Sequence, residues 1–232
     1  MLATSRSFEA NARAGLANDK LVGVAVGNDG NVYAAGLKNG FIYRIKGPRG
    51  DPMAVAVDVV GITSDGRGIN GSLGILGDDL YLPENKGLTV IKGISACASA
   101  APFVPCFAQP LNLPFVPFAL SVATDNAHGA VYVAVASGAA NGTIYRLTPS
   151  TGALAVYATQ GQLPTLSPGY MEDCTTMCMR HVDPGYPASG LVGFHFPLGM
   201  FVDGTGNLLL GDDIMAGSRG FHGHVWSIPY TP

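Results

Sequence analysis

Charge is what this sequence has least of: 12% of its 232 residues are Asp, Glu, Lys or Arg, about half the usual share in soluble domains. With 13 basic and 16 acidic residues and a formal net charge of -3, it has no Lys/Arg cluster and no broad basic surface, which excludes nucleic acid as a partner. Missing too is any apolar run approaching the roughly 18 residues that a transmembrane helix needs. The opening Met-Leu-Ala-Thr-Ser-Arg-Ser-Phe-Glu-Ala lacks the apolar core of a signal peptide. Glycine follows no three-residue period, which excludes collagen. Gly23 and Gly27, or Gly66 and Gly68, make no dinucleotide fingerprint, because no βαβ unit surrounds them.

What is present is glycine (32 residues), proline (16) and a hydrophobic fraction of 47% with mean hydropathy +0.27. Many tight turns between short buried strands explain this composition. A local grammar then recurs four times. An apolar strand leads to an Asp, Asn or Gly turn, a second strand follows, and then a third: residues 21–60, 72–94, 119–158 and 198–230. Val-Tyr-Ala-Ala and Phe-Ile-Tyr-Arg-Ile in the first unit answer Val-Tyr-Val-Ala-Val and Thr-Ile-Tyr-Arg-Leu in the third. A repeated unit with a face it cannot bury alone stacks on its neighbours. The expectation is therefore one all-β domain, a β-propeller with four recognisable blade-like repeats, and five blades or an incomplete larger ring as alternatives. Turn landmarks at Asp29, Asp78, Asp125 and Asp203 lie 49, 47 and 78 residues apart.

Residues 1–20 read as an arm that would supply an outer strand to the last blade. Segments 95–118 and 159–197 read as elaborated loops. In the first, five prolines disfavour a regular sheet, and Phe103, Phe107, Phe115 and Phe118 are expected to pack the loop down. The cysteines form two close pairs, Cys97/Cys106 and Cys174/Cys178, either as short-range disulfides of an exported protein or as reduced thiols. Tyr33, Tyr43, Tyr81, Tyr132 and Tyr145 recur at strand positions and are expected in the core. Asn70-Gly71-Ser72 and Asn141-Gly142-Thr143 match the glycosylation acceptor pattern.

His222 and His224, two positions apart, are the leading candidates for proton transfer or metal ligation; the plain alternative is an exposed loop entering the last strand. The long loop would have to bring His181 or His195 near them to form a three-histidine site. Asp212 and Asp213 would orient an imidazole, bind calcium or cap a turn. Cys174, Cys178 and His181 have soft-metal character, but their spacing is not that of a structural zinc site. Asp65 and Asn70 lie in a glycine-punctuated loop where a turn is the simpler reading.

Phe196-Pro197-Leu198-Gly199, Val202-Asp203-Gly204-Thr205-Gly206-Asn207, Leu209-Leu210-Gly211-Asp212-Asp213 and Val225-Trp226-Ser227-Ile228 together resemble the closing blade of NHL-type and six-bladed sorbosone-dehydrogenase-like propellers. Gly142-Thr143-Ile144-Tyr145-Arg146-Leu147 resembles their third strand. That resemblance implies a quinoprotein-like oxidoreductase of a sugar or other small alcohol or aldehyde, using pyrroloquinoline quinone and calcium. Arg219, Asp212 and Asp213 would then contact the cofactor, and His222 or His224 would accept the proton. Two alternatives stand beside it: a non-catalytic propeller binding a glycan or protein, and a metal-dependent hydrolase or lactonase. The expected partner is a small-molecule or carbohydrate ligand, with a homo-oligomer or ring completion by another chain as further expectations. Low lysine content and short charged runs lean to an extracellular or periplasmic location.

Overall fold

The computed structural model describes residues 20–46, 56–98, 105–135, 143–158, 170–173, 179–182, 197–215 and 221–230. The four repeats are four antiparallel sheets, and the architecture is a four-bladed β-propeller. Blade 1 is β1 (Leu21–Val26), β2 (Val32–Gly36), β3 (Phe41–Lys46) and β4 (Ala56–Ile62). Blade 2 begins with β5 (Gly74–Leu76), β6 (Asp79–Glu84) and β7 (Gly87–Ile91). The following linker adds two-residue strands to both: β8 (Cys106–Phe107) joins blade 1 in parallel with β4, and β9 (Gln109–Pro110) closes blade 2. Blade 3 is β10 (Ala119–Asp125), β11 (Ala130–Val135), β12 (Thr143–Thr148) and β13 (Ala153–Ala158). A separate hairpin, β14 (Tyr170–Asp173) and β15 (Met179–Val182), precedes blade 4, which is β16 (Pro197–Val202), β17 (Leu208–Met215) and β18 (Phe221–Ile228).

The likeness to six-bladed sugar dehydrogenases is thereby corrected. Beside the two-stranded hairpin the described residues form four blade sheets, and opposite blades already touch at the axis: the Ser72 hydroxyl before β5 meets the Ser121 hydroxyl of blade 3 at 2.8 Å and accepts from the Met200 amide of blade 4 at 3.1 Å. There β10 packs against both β5 and β16, and β1 against β5. The fourth unit also has longer strands than its sequence suggests, so His222 and His224 lie within β18 and not in a loop leading to it. The outer strand expected from residues 1–20 falls outside the described residues.

Turn chemistry sets the register of each blade. In blade 1, Asp29 accepts from the Asn31 amide at 3.0 Å and from the Tyr33 hydroxyl at 2.8 Å. In blade 4, Asp203 accepts from the amides of Thr205 and Asn207 at 2.8 and 2.9 Å. Gly30 and Gly206 follow with φ of 77° and 89°, a left-handed backbone that glycine adopts without steric cost. Asparagines then tie one blade to the next. Asn28 donates to the Gly77 carbonyl at 2.8 Å, and Asn126 both accepts from the Gly77 amide and donates to the Ile75 carbonyl.

Alternation along the strands places one face of each blade on its predecessor and the other on its successor. Tyr33 and Ile42 of blade 1 pack with Ile75 and Leu80 of blade 2. Tyr81 and Val90 of blade 2 meet Val122 and Val131 of blade 3. Tyr132 and Ile144 of blade 3 meet Met200, Leu208 and Leu210 of blade 4. All five strand tyrosines are buried, as their repetition predicts.

Candidate functional site

Most described acidic groups that looked available for chemistry are engaged by the scaffold. Asp65 accepts from the Arg67 amide at 2.9 Å as a turn, and Asn70 donates to the Ala119 carbonyl at 2.8 Å. Glu84 is wholly buried and accepts from the Ser64 amide (3.0 Å), the Ser64 hydroxyl and the Thr89 hydroxyl (2.6 Å), fixing the loop that links blades 1 and 2. A buried carboxylate persists when its lone pairs are met in this way. Burial works to raise the Asp29 carboxyl, but hydrogen bonds from Tyr33 and Asn31 outweigh it and leave the group below its usual range.

His128, which the sequence reading passed over, stands in the one carboxylate–imidazole pair among the described residues. Its Nδ1 lies 2.7 Å from the buried Asp125 carboxylate, whose other oxygen accepts from the Ala127 and His128 amides. The imidazole stacks on Tyr230 with ring centroids 3.9 Å apart, and the Arg146 guanidinium lies 5.6 Å from the same tyrosine ring. Tyr157 donates to the Pro229 carbonyl at 3.0 Å beside them. The cluster joins the turn of blade 3 to the chain leaving blade 4. The signal in the sequence is the Asp-x-x-His spacing in place of the Asp-Gly turn of blades 1 and 4.

Of the residues singled out from sequence, Asp212 stands opposite His224 in the backbone register of β17 and β18, Asp213 opposite Gly223, and Ile214 opposite His222. His181 sits opposite Met171 in the hairpin, whose first strand borders β18. Arg219, His195, Cys174 and Cys178 lie outside the described residues. Among the described residues no three His, Cys, Asp or Glu side chains are close enough to share a metal ion.

The surface that stands out is the linker after blade 2. From Gly93 to Thr124 the sequence holds no charged residue. The linker starts at a 3-10 turn, Ile94–Ala96, held by Asp78, which accepts from the Ser95 amide at 3.1 Å and the Ser95 hydroxyl at 2.7 Å. Cys97 is disulfide-bonded to Cys106 with Cα atoms 5.8 Å apart. The buried Arg44 guanidinium donates to the carbonyls of Ser95 and Cys97, each at 3.1 Å, and pairs with Asp58 at 3.5 Å, which Lys46 also meets at 2.6 Å. Gly61 and Gly87 let the linker lie close: a Cβ on Gly61 would come 3.2 Å from the Cys106 carbonyl, and one on Gly87 2.6 Å from the Val116 carbonyl. Buried Ala108 and Val116 anchor the chain between these points.

On this fixed backbone Phe107 is 56% and Phe115 74% exposed, contrary to the expectation that the phenylalanines pack the loop down. Phe103 lies outside the described residues. Phe115 and the exposed Asn112 adopt φ of 68° and 47°, a left-handed backbone that costs a non-glycine residue about 1–2 kcal/mol. Gln109, also exposed, donates from its amide to the Phe107 carbonyl at 3.3 Å. The two-residue strands β8 and β9 form despite the prolines, since Pro110 lies on an edge strand, where a missing N–H is tolerated.

The fold and this surface define a four-bladed β-propeller with an uncharged, disulfide-tied aromatic edge. No protein-family model matches the chain, and no curated protein matches it. Among solved structures, it is similar to a chain of the nidogen/laminin complex, with 15% identity, a TM-score of 0.51 and coverage of 85% of this chain and 73% of that one. It is also similar to a GH43 glycoside hydrolase with an engineered active site (13% identity, TM-score 0.49, covering 99% of this chain and 42% of that one). An auxiliary nutrient binding protein from Bacteroides thetaiotaomicron matches at 13% identity and a TM-score of 0.44, covering 88% of this chain and 47% of that one. The chain spans less than half the length of the latter two. Likeness at these identities concerns the fold alone.

Proposed function

We propose that this protein is a non-catalytic binding propeller whose ligand is a neutral glycan, held at the linker after blade 2. The observation that carries the proposal is the exposure of Phe107 and Phe115 on a backbone fixed by the Cys97–Cys106 disulfide and the Arg44 anchor. Aromatic faces accept the apolar C–H face of a sugar ring, and the amides of Gln109 and Asn112 supply donors and acceptors for hydroxyls. The absence of charge from residues 93–124 suits an uncharged ligand. A preformed loop also loses little conformational freedom on binding. Backbone strain at an exposed aromatic such as Phe115 is the kind found at ligand clamps.

The test is affinity electrophoresis and titration calorimetry against a panel of neutral polysaccharides and their oligomers. Retention by one of them is expected, with Phe107→Ala and Phe115→Ala each weakening it about tenfold or more while the melting temperature stays near that of the parent. Failure to bind any neutral glycan overturns the proposal. So does turnover of a bound sugar that depends on His222 or His224, which would return the protein to the enzymes.

A further inference from the structure

Phe107 and Phe115 stand at two levels of the outer edge of blade 2, each held by its own anchors. At one end, β8 and β9 follow each other in a segment where Phe107 is exposed, Ala108 buried and Gln109 exposed. Phe107 and Gln109 therefore share the outward face. The Ala108 amide donates to the Ile62 carbonyl at 2.9 Å, and the disulfide to Cys97 ties the residue before Phe107. At the other end, the Leu111 amide donates to the Leu88 carbonyl at 3.0 Å. Val116 is buried in one core with Tyr81, Leu88 and Val90. Its carbonyl lies so close to Gly87 that a Cβ there would come within 2.6 Å.

β7 supplies the scale between the two rings. Val90 stands opposite Gln109 and Thr89 opposite Pro110, which sets Phe107 level with Lys92. Phe115 adjoins Val116 and so lies near the level of Gly87. An interval of about five residues at ~3.3 Å each places the two aromatics roughly 15 Å apart along the edge. Between them, in order, come the exposed Gln109 and Asn112, each with a carboxamide that can donate and accept. The edge thus runs ring, amide, amide, ring, on a linker that carries no charge.

We infer that this edge measures the length of its ligand: it takes an extended neutral oligosaccharide, with one sugar stacked on Phe107 and another, several units along the chain, on Phe115. This rests on the glycan site proposed above and gives its ligand a length and a shape. The interval between the rings is wider than a disaccharide, so a mono- or disaccharide engages one ring at a time. A chain long enough to reach both makes its second contact intramolecularly, at the high effective concentration of a tethered group. Separate anchors at the two ends keep the interval constant, so little of that gain is lost to ordering the linker. The carboxamides of Gln109 and Asn112 meet the hydroxyls of the units in between.

The test is titration calorimetry of the full chain with cello-, xylo- and manno-oligosaccharides, each from the monosaccharide to the hexasaccharide. In at least one series, affinity should climb tenfold or more between the disaccharide and the hexasaccharide. Phe115→Ala should bring the hexasaccharide down to the level of the disaccharide. It should change disaccharide binding by about twofold at most, because Phe107 remains as a single contact. Phe107→Ala should act in the same way, and circular dichroism establishes that both variants are folded. Equal affinity for disaccharide and hexasaccharide overturns the inference while the glycan site stands. So does a loss in Phe115→Ala that is the same at every length. Binding by no member of the three series also overturns it, and retention of a neutral polysaccharide in affinity electrophoresis then decides the glycan site separately.

Discussion

The hydroxyls of Ser72 and Ser121 lie 2.8 Å apart where blades 2 and 3 meet at the axis, and Ser72 also donates to the Val122 carbonyl at 2.8 Å. With the Met200 amide donating to the same oxygen, one side chain serves three blades. Ser72→Ala leaves the Met200 amide and Ser121 hydroxyl without that partner, and each buried group so stranded costs about 1–3 kcal/mol. Urea denaturation should show a loss in this range with an unchanged m-value.

Glu84 offers a sharper test of loop order. Its carboxylate holds the Ser64 amide and hydroxyl and the Thr89 hydroxyl. Glu84→Ala should destabilise the protein by about 3 kcal/mol through stranded donors and a cavity. Hydrogen exchange at Ser64 should rise well beyond the global change. Glu84→Gln, which keeps one acceptor oxygen, should fall between the variant and the parent.

The disulfide closes a short loop, with Cys97 and Cys106 at a sequence separation of 9. In the chain-entropy picture such a crosslink is worth about 2–3 kcal/mol. Reduction of the protein, or Cys97→Ser with Cys106→Ser, should lower the melting temperature accordingly. The same change should weaken glycan retention, because Phe107 loses the tether beside it.

Alkaline pH gives a test with a defined sign. Burial first, then the hydrogen bond to Asp29 and its negative charge, push the Tyr33 hydroxyl from its ordinary 10.0 up to about 12. Burial and Asp79 do the same for Tyr81. A group raised in the folded state contributes stability that is whole below the unfolded value and is lost as pH climbs through the folded one. Stability should therefore fall between about pH 10 and pH 12, and Tyr33→Phe should flatten that decline in urea titrations monitored by tyrosine absorbance.

Much of the fold was legible because its grammar is local. Asp29 and Asp203 each cap their own turn, and Tyr33, Tyr81 and Tyr132 mark the same strand position in three blades, so period and turn chemistry exposed the repeats. Blade number was harder. The likeness of the last repeat to six-bladed enzymes reflected strand and turn residues that any blade needs, whereas closure depends on contacts such as Ser72 with Met200, 128 residues apart. The linker surface was hidden for a related reason: phenylalanines in a proline-rich loop read as packing residues, and only tertiary placement of Cys106 and Val116 fixes which rings turn outward. His128 escaped notice because its partner Tyr230 lies a hundred residues further on.

The Gly77 carbonyl accepts from Asn28 on one side and its amide donates to Asn126 on the other, and Ser72 adds a link to blade 4. Blade 2 is thus the keystone of the assembly, engaged by every other blade, while among the described residues blades 1 and 4 each have a flank with fewer ties. Unravelling should begin at those two flanks and travel inward, so that blade 2 surrenders its protected amides last and sets the slowest step of disassembly.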